Sequence, residues 1–290
     1  VVDGVTSAYN GWLKNCPKVA SISGSNNLVY CCENNTLYYN AKEQLIRCST
    51  TINGILTVPS TVTTIEAGAF YGCDDLTVVD LRETPTDWGK VQRDLLNNPF
   101  YGASKYTLFI MNQASWALNN VSSEPNVVNL SNGFVENGYE CMNLYVTDRL
   151  GINLGDNTFR FTAVSCHYDR KFGATLTYGQ DGESDFVYQP KAYTLSLPFK
   201  FRLKAGQGAK LYRYDNVITE GDVTTVLFQE VAIDNSNYYL THARHPYYLV
   251  VESEDPFTLE STSENTVQEY GQGSQYENGD YAYVGTCVKI

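Results

Sequence analysis

Charge is scarce in this chain of 290 residues: Asp, Glu, Lys and Arg together make up 18 %, and 32 acidic against 20 basic residues leave a net charge of -12. Proteins that follow a phosphate backbone do so with clustered Lys and Arg. No basic run of that kind is present, which argues against a nucleic-acid partner. Long apolar runs are missing too. No stretch approaches the roughly 20 residues that a membrane-crossing helix needs, so no transmembrane segment is expected. Cysteine is thin for a disulfide-built scaffold: the eight are scattered without a CxxC spacing, which speaks against a zinc site. The apolar core therefore has to do the stabilising. Cys73 is expected as a buried thiol, while one or two disulfides drawn from Cys16, Cys31, Cys32 and Cys48 stay open.

What the chain has in quantity is tyrosine. Its 23 tyrosines lift the aromatic share to 13 %, which suits a β-rich extracellular protein better than a helical cytosolic one. The length is enough for two domains at roughly 150 residues each.

The most informative stretch runs from Leu56 to Leu81. Leu56 and Val58 return as Val79 and Leu81 after 23 residues, so one apolar doublet opens and closes a unit of leucine-rich-repeat length. Between the doublets Val62, Ile65, Ala69, Phe70, Cys73 and Leu76 recur at intervals of three or four, which predicts a helix or tight turns facing a core. A unit this small buries its face only by stacking on a neighbour. Phe100-Tyr101-Gly102 repeats Phe70-Tyr71-Gly72 after 30 residues, with Thr107 to Ile110 standing where Thr77 to Leu81 stood. Upstream, Leu37-Tyr38, a polar turn over Asn40 to Glu43, and Leu45-Ile46 predict a hairpin-like unit.

The order of Pro59, Val62, Ile65, Ala69-Phe70, Gly72-Cys73 and Leu76 resembles the BspA-like leucine-rich repeat of bacterial surface proteins. A second resemblance follows it. Phe161-Thr162-Ala163, Tyr168-Asp169-Arg170 and Thr194 to Phe199 (TLSLPF) look like the F-x-A, Y-x-R and TLxLPF motifs that introduce a β-rich C-terminal module in surface proteins of Bacteroidetes. Together the likenesses span about residues 30 to 250, and they imply an exported, surface-exposed protein whose secretory leader has been removed ahead of Val1. They bring no catalytic residues with them.

The polar segment Asn119 to Pro125 reads as a boundary. Beyond it come short strands between Gly, Asn and Asp: Val127-Val128, Met142 to Val146, Phe159 to Val164, Ala192 to Phe199, Ala209 to Tyr214, Thr224 to Phe228, Tyr247 to Val251, Phe257 to Leu259 and Tyr281 to Val288. The period of two in Tyr193, Leu195, Leu197 and Phe199 points one face inward. The expected architecture is mostly β within the α+β class, a short irregular leucine-rich repeat segment over residues 1–125 and an antiparallel β-sandwich over 126–290. Leu56, Val58, Val62, Ile65, Ala69, Phe70, Cys73, Leu76, Leu195, Leu197 and Phe199 form the expected core.

Candidate chemistry is sparse. Cys166 and His167 are adjacent, so on a strand they point to opposite faces and do not make a thiolate and imidazolium pair. His242 and His245 lie three apart, but Pro246 follows at once and a loop is the simpler reading. The carboxylate clusters Asp181, Glu183, Asp185 and Glu252, Glu254, Asp255 sit among Gly, Ser and Pro. They serve a polysaccharide hydrolase less well than a solvated loop, although Asp181, Glu183 and Asp185 have the alternation that Ca²⁺ takes. No other cofactor is indicated. Trp88, Trp116 and Tyr101 lie in or beside the irregular repeats, where outward rings bind sugars or anchor a protein, or else cover a domain seam. The reading that results is a non-catalytic surface protein acting in adhesion or recognition of host protein or glycan, with a structural spacer and a hydrolase as alternatives and the oligomeric state open. If Ca²⁺ occupies Asp181, Glu183 and Asp185, calorimetric titration gives heat and a chelator lowers the melting temperature; a silent titration with an unchanged melt removes the site.

Overall fold

A computed structural model of the chain describes residues 13, 16, 18–24, 29–84, 98–112, 126–130, 138–147, 159–172, 175–178, 186–189, 191–243, 245–253, 257–261, 265–268, 275–278 and 281–284. Among these the protein is built of strands and turns, with no helix. Two compact units divide it: Val1–Tyr145 with Ile152–Gly155 and Arg160–Val164, and Val146–Gly151 with Asp156–Phe159 and Ser165–Ile290.

The first unit opens as a meander. Strand β1 (Tyr30–Glu33) pairs antiparallel with β2 (Thr36–Tyr39) across Asn34 and Asn35, which both take positive φ, 48° and 56°. Asparagine tolerates that region because its short amide bonds locally, and two such residues make the primed turn that matches strand twist. The expected hairpin follows, β2 pairing with β3 (Gln44–Cys48) around Asn40 to Glu43. From there the chain coils. β3 lies parallel to β5 (Thr64–Ile65), and β4 (Gly54–Thr57), β6 (Leu76–Leu81), β7 (Leu108–Met111) and β8 (Val127–Leu130) run parallel in that order.

The sequence periods are the registers of this stack. Leu56 lies opposite Val79 and Val79 opposite Phe109, so the intervals of 23 and 30 residues each close one coil. The interval of three or four between Val62 and Leu76 proves to be turns rather than helix: Ala69 N–H donates to Glu66 O, Tyr71 to Gly68, Cys73 to Phe70 and Leu76 to Cys73. Each such turn advances the chain three residues and returns a side chain inward. Leu56, Val58, Val62, Ala69, Phe70, Cys73 and Leu76 are accordingly buried in one cluster, with Ile65 packed against it. Between coils, Gly72 N–H donates to Gly102 O at 2.9 Å and Gly68 N–H to Asn98 O at 3.0 Å. Thr77 Oγ1 donates to Gly54 O at 2.8 Å and its counterpart Thr107 Oγ1 to Leu76 O at 2.7 Å. Phe109 meets both Phe70 and Phe100, ring centres 5.2 and 4.7 Å away, each edge to face. At Gly102, with φ +70°, a Cβ would lie 1.9 Å from Cδ2 of Tyr71, so only glycine lets the two turns close.

A wholly buried arginine joins the meander to the coil. Arg47 shows no exposed surface, and its guanidinium donates to Gly68 O at 2.7 Å, Ala69 O at 3.3 Å, Tyr71 O at 2.5 Å and Cys16 O at 2.8 Å. Among the described residues no carboxylate pairs with it, and Nε has no hydrogen-bond partner. Burial lowers its pKa, while the fork geometry matches a curved row of carbonyls that a lysine would not span.

Val127 and Val128 depart from expectation: they form β8, the next parallel strand after β7, with Phe109 opposite Val127. The boundary drawn after residue 125 therefore falls inside the first unit. Asn126 makes the join. At φ 56° it leaves its own N–H to Asn143 O, while its side chain donates to Tyr145 O at 2.9 Å and accepts from Tyr145 N–H at 2.6 Å. Beyond it β8 pairs antiparallel with β9 (Tyr139–Val146), which neighbours the start of β10 (Arg160–Phe172).

In the second unit, β11 (Thr175–Tyr178) and β12 (Phe186–Gln189) form a hairpin, as do β19 (Gln275–Asn278) and β20 (Tyr281–Val284). Its main sheet is antiparallel in the order β13 (Lys191–Leu195), β16 (Tyr247–Val251), β14 (Ala209–Glu220), β15 (Val223–Glu230). One rung sets Tyr193, Leu249 and Leu211 side by side, all buried. Leu195 is buried on the same strand, and Leu197 and Phe199 just after it ends. β17 (Phe257–Ser261) and β18 (Asn265–Gln268) pair with β10. Because Phe70 sits at zero exposure against Phe109, Phe70→Ala is expected to cost about 3 to 5 kcal/mol in denaturant unfolding; an unshifted midpoint would contradict the register.

Candidate functional site

Of the residues expected to bind, Tyr101 lies on the described surface. Trp88, Trp116, Asp181, Glu183 and Asp185 lie outside the described residues. Tyr101 is half-buried and sits directly over Tyr71 of the preceding coil, ring centres 5.5 Å apart and planes inclined by 53°. The two tyrosines are equivalent positions of successive Phe-Tyr-Gly turns, so the backbone bond from Gly72 to Gly102 and the cradle at Gly102 fix their spacing. Behind Tyr71 stands Arg47, its guanidinium carbon 5.8 Å from the ring centre. On the segment that follows, the exposed Lys105 places Nζ 5.2 Å from the ring of Tyr106 and 5.0 Å from that of Tyr145.

Where these rings stand matters because the strands offer little surface. Leu56, Val79, Phe109 and Val127 face the cluster described above, yet Val78, Leu108, Ile110 and Val128 on the alternate positions are buried as well. Parallel strands are normally covered on both faces. Solvent reaches the ladder at β4, where Ile55 and Thr57 are exposed, and at the turns that carry Tyr71 and Tyr101. At the end of β6, Arg82 holds Asp80 with two bonds, Nε to Oδ1 at 2.9 Å and Nη2 to Oδ2 at 2.7 Å. Burial opposes ionisation of Asp80, but the Arg82 bonds outweigh it and keep the carboxyl below its usual range.

The second unit contains an arrangement that spacing alone did not suggest. Cys166 is buried and His167 half-buried, as opposite faces require. The imidazole turns instead to Ser165: Oγ and Nε2 are 2.9 Å apart, while Nδ1 lies 3.7 Å from Oε1 of Glu260, its cross-strand partner on β17. Hydroxyl, imidazole and carboxylate in that order are the parts of an acyl-transfer triad. Here Ser165 and His167 lie two apart on β10 and Glu260 stands opposite His167 on β17. Residues i and i+2 on one strand with a carboxylate opposite are the signal that would have revealed it. His242 and His245 lie in a loop with ring centres 5.0 Å apart and planes inclined by 41°, and His242 N–H donates to the Tyr247 hydroxyl. Among the described residues no group of three or more His, Cys, Asp or Glu converges as a metal site.

The thiols at the coil entrance are structural. Cys16, Cys31, Cys32, Cys48 and Cys73 carry free thiols, so no disulfide joins the four residues for which one had been left open. Cys48 accepts from Thr36 Oγ1 at 3.6 Å, and Cys73 Sγ lies 3.4 Å from Ser49 O. Burial raises both thiol pKa values, that of Cys73 from 9.0 to about 11.

No family model matches the chain, and neither curated proteins nor solved structures return a match. Fold and site define a mostly β protein whose first unit is a short, parallel stacked coil with tyrosines repeated on its turns. The buried thiols give a pH dependence of definite sign. Below pH 9.0 the Cys73 thiol is neutral folded and unfolded; above it the unfolded chain ionises first, so stability is full below pH 9.0 and falls toward pH 11. Urea midpoints measured across that range check this, with Cys73→Ala expected to flatten the decline.

Proposed function

We propose that the chain is a non-catalytic, exported surface protein that recognises host protein or glycan, and that the first unit carries the contact. The observation behind this is the pair of half-buried tyrosines, Tyr71 and Tyr101, held at a set spacing on the turns of adjacent coils. A tyrosine ring offers apolar area, few rotors and a hydroxyl, which suits stacking on a pyranose or anchoring a peptide. Turns repeated along a stack present such rings one above the next, on a side of the coil that solvent reaches. The likeness to BspA-like surface proteins, carried by Pro59 to Leu76 and by the TLSLPF run, supports export and a cell-surface location. Trp88 and Trp116 are further candidate contacts in the same reading. The main antiparallel sheet, with Tyr193, Leu211 and Leu249 on its inner face, supports a β-sandwich as the architecture of the second unit.

A spacer within a larger surface assembly is the second reading, favoured by the burial of Val78, Leu108, Ile110 and Val128, which covers the alternate face of β6, β7 and β8. A glycan and matrix-protein array separates the two. Binding that Tyr101→Ala and Tyr71→Ala each weaken about tenfold, with the melting temperature held, supports recognition. Retention of neither ligand class, or binding indifferent to both substitutions, returns the first unit to a spacer.

A further inference from the structure

The long hairpin of β14 and β15 runs on past the pairing with β16, which ends at Tyr212, and touches β19 along β14. Ala209, Leu211 and Tyr214 are buried at its base, and from Asp215 onward nearly every position is exposed or half-exposed on both faces. Exposed apolar side chains stand on either side: Ile218 at 43 % and Val223 at 65 % on one face, Val226 at 48 % on the other. The tip is tight, Glu220 opposite Val223 with Gly221 at φ +60° as the first loop residue, a position that favours glycine. β14 has β16 on its other side near the base, but β15 is the last strand in the order, and among the described residues no strand lies along its outer edge. Solvated two-stranded ribbons are marginal, and open edges are normally guarded by lysine, proline or a bulge. The run Val223 to Gln229 (VTTVLFQ) contains none of these residues and no charge, and the bulge at Asp215 lies on β14.

We propose that β15 joins the β15 of a second copy, edge to edge and antiparallel, so that two sheets become one across a two-fold axis at Leu227. The residues select this register. A two-fold perpendicular to a sheet pairs positions of the same face, so the centre falls on a residue. Centred on Leu227, Leu227 meets itself, Val226 meets Phe228, Thr225 meets Gln229 and Thr224 meets Glu230: apolar opposes apolar and polar opposes polar on each rung, and the Thr224 hydroxyl faces a carboxylate. Centred on Val226, Thr225 would face Leu227, Thr224 would face Phe228 and Asp222 would face Glu230, a like-charge pair. All of Thr224 to Glu230 lies within β15, so the matched register needs no change in the strand. Pairing uses both edges at once, which makes the assembly a closed dimer. The net charge of -12 on each copy opposes it, and salt that screens this repulsion strengthens it.

Sedimentation equilibrium of the whole chain tests the proposal. The wild type is expected to reach a dimer, and no larger species, across the micromolar range, with tighter association as salt is raised. Thr224 is exposed, so its substitution spares the core. Thr224→Glu places a carboxylate against Glu230 twice per dimer and is expected to weaken association about tenfold, whereas Thr224→Lys is expected to tighten it by a similar factor. Thr57→Lys, which makes the same change in net charge on an exposed position of the first unit, is expected to leave association close to wild type. A wild type that stays monomeric to millimolar concentration, growth beyond the dimer, or Thr224→Glu and Thr224→Lys shifting association in the same direction would overturn the proposal. Because this edge belongs to the second unit, loss of dimerisation leaves the reading of Tyr71 and Tyr101 untouched.

Discussion

The first unit depends on one buried cation. Arg47 lies on β3, the last strand of the meander, and its guanidinium takes three carbonyls from the first tight turn of the coil and one from Cys16. A turn of stacked coil points several carbonyls the same way; Gly68 O also accepts from Tyr71 N–H and Ala69 O from Cys48 N–H, and Arg47 adds its donors to these and to the oxygens of Tyr71 and Cys16. Burying those oxygens without donors would cost about 1 to 3 kcal/mol each. One planar fork with several donors meets the need in a space that water does not enter. Repeat arrays generally require a distinct capping unit at their ends. In this protein the cap is an antiparallel meander whose strand β3 supplies both the pairing edge for β5 and the arginine.

From that anchor the coil propagates by devices that recur with the sequence period. Thr77 and Thr107 bond the strand before them in the same way, Gly72 and Gly102 bond one another, and Phe70, Phe100 and Phe109 fill the column between coils. Function enters through the same devices. The glycine that allows Tyr71 to close on the next turn also sets the distance from Tyr71 to Tyr101, so the proposed contact surface is a by-product of how the coils stack. The second unit is built differently: its sheet is fastened at one end around Leu211 and Leu249 and extends into a ribbon along whose outer edge no strand lies among the described residues. Recognition in one unit and self-association in the other would make a surface protein that binds with two copies at once, which raises avidity without new contacts.

Much of the first unit was legible from residue spacing. The doublets Leu56, Val58 and Val79, Leu81 and the repeated Phe-Tyr-Gly are periodic because each coil must return the same side chains to the same column. The hairpin over Leu37 to Ile46 was legible because asparagines and a polar turn divide two apolar pairs. Val127 and Val128 were misplaced in the second domain for an equally physical reason. Their coil is 18 residues long where the others are 23 and 30, so no period announces it, and the pairing of β8 with β9 is continued by the Asn126 side chain acting as backbone. The intervals between Val62 and Leu76 fit helix and tight turn alike, and only the pattern of bonds to the third residue back distinguishes them.

The sequence by itself determined that the chain is β-rich, that it contains a stacking unit and where that unit's core lies, since these follow from which side chains are apolar and how often they recur. Tertiary structure decided the rest. That Arg47 is buried, that Val78 and Ile110 are covered along with the core face, that Ser165, His167 and Glu260 meet across two strands, and that β15 stands last in the order of its sheet are all facts about which neighbour lies beside a residue. Such neighbours come from distant parts of the chain, and their positions are set by closure of the coils and pairing of the sheets, so no local pattern of residues carries them.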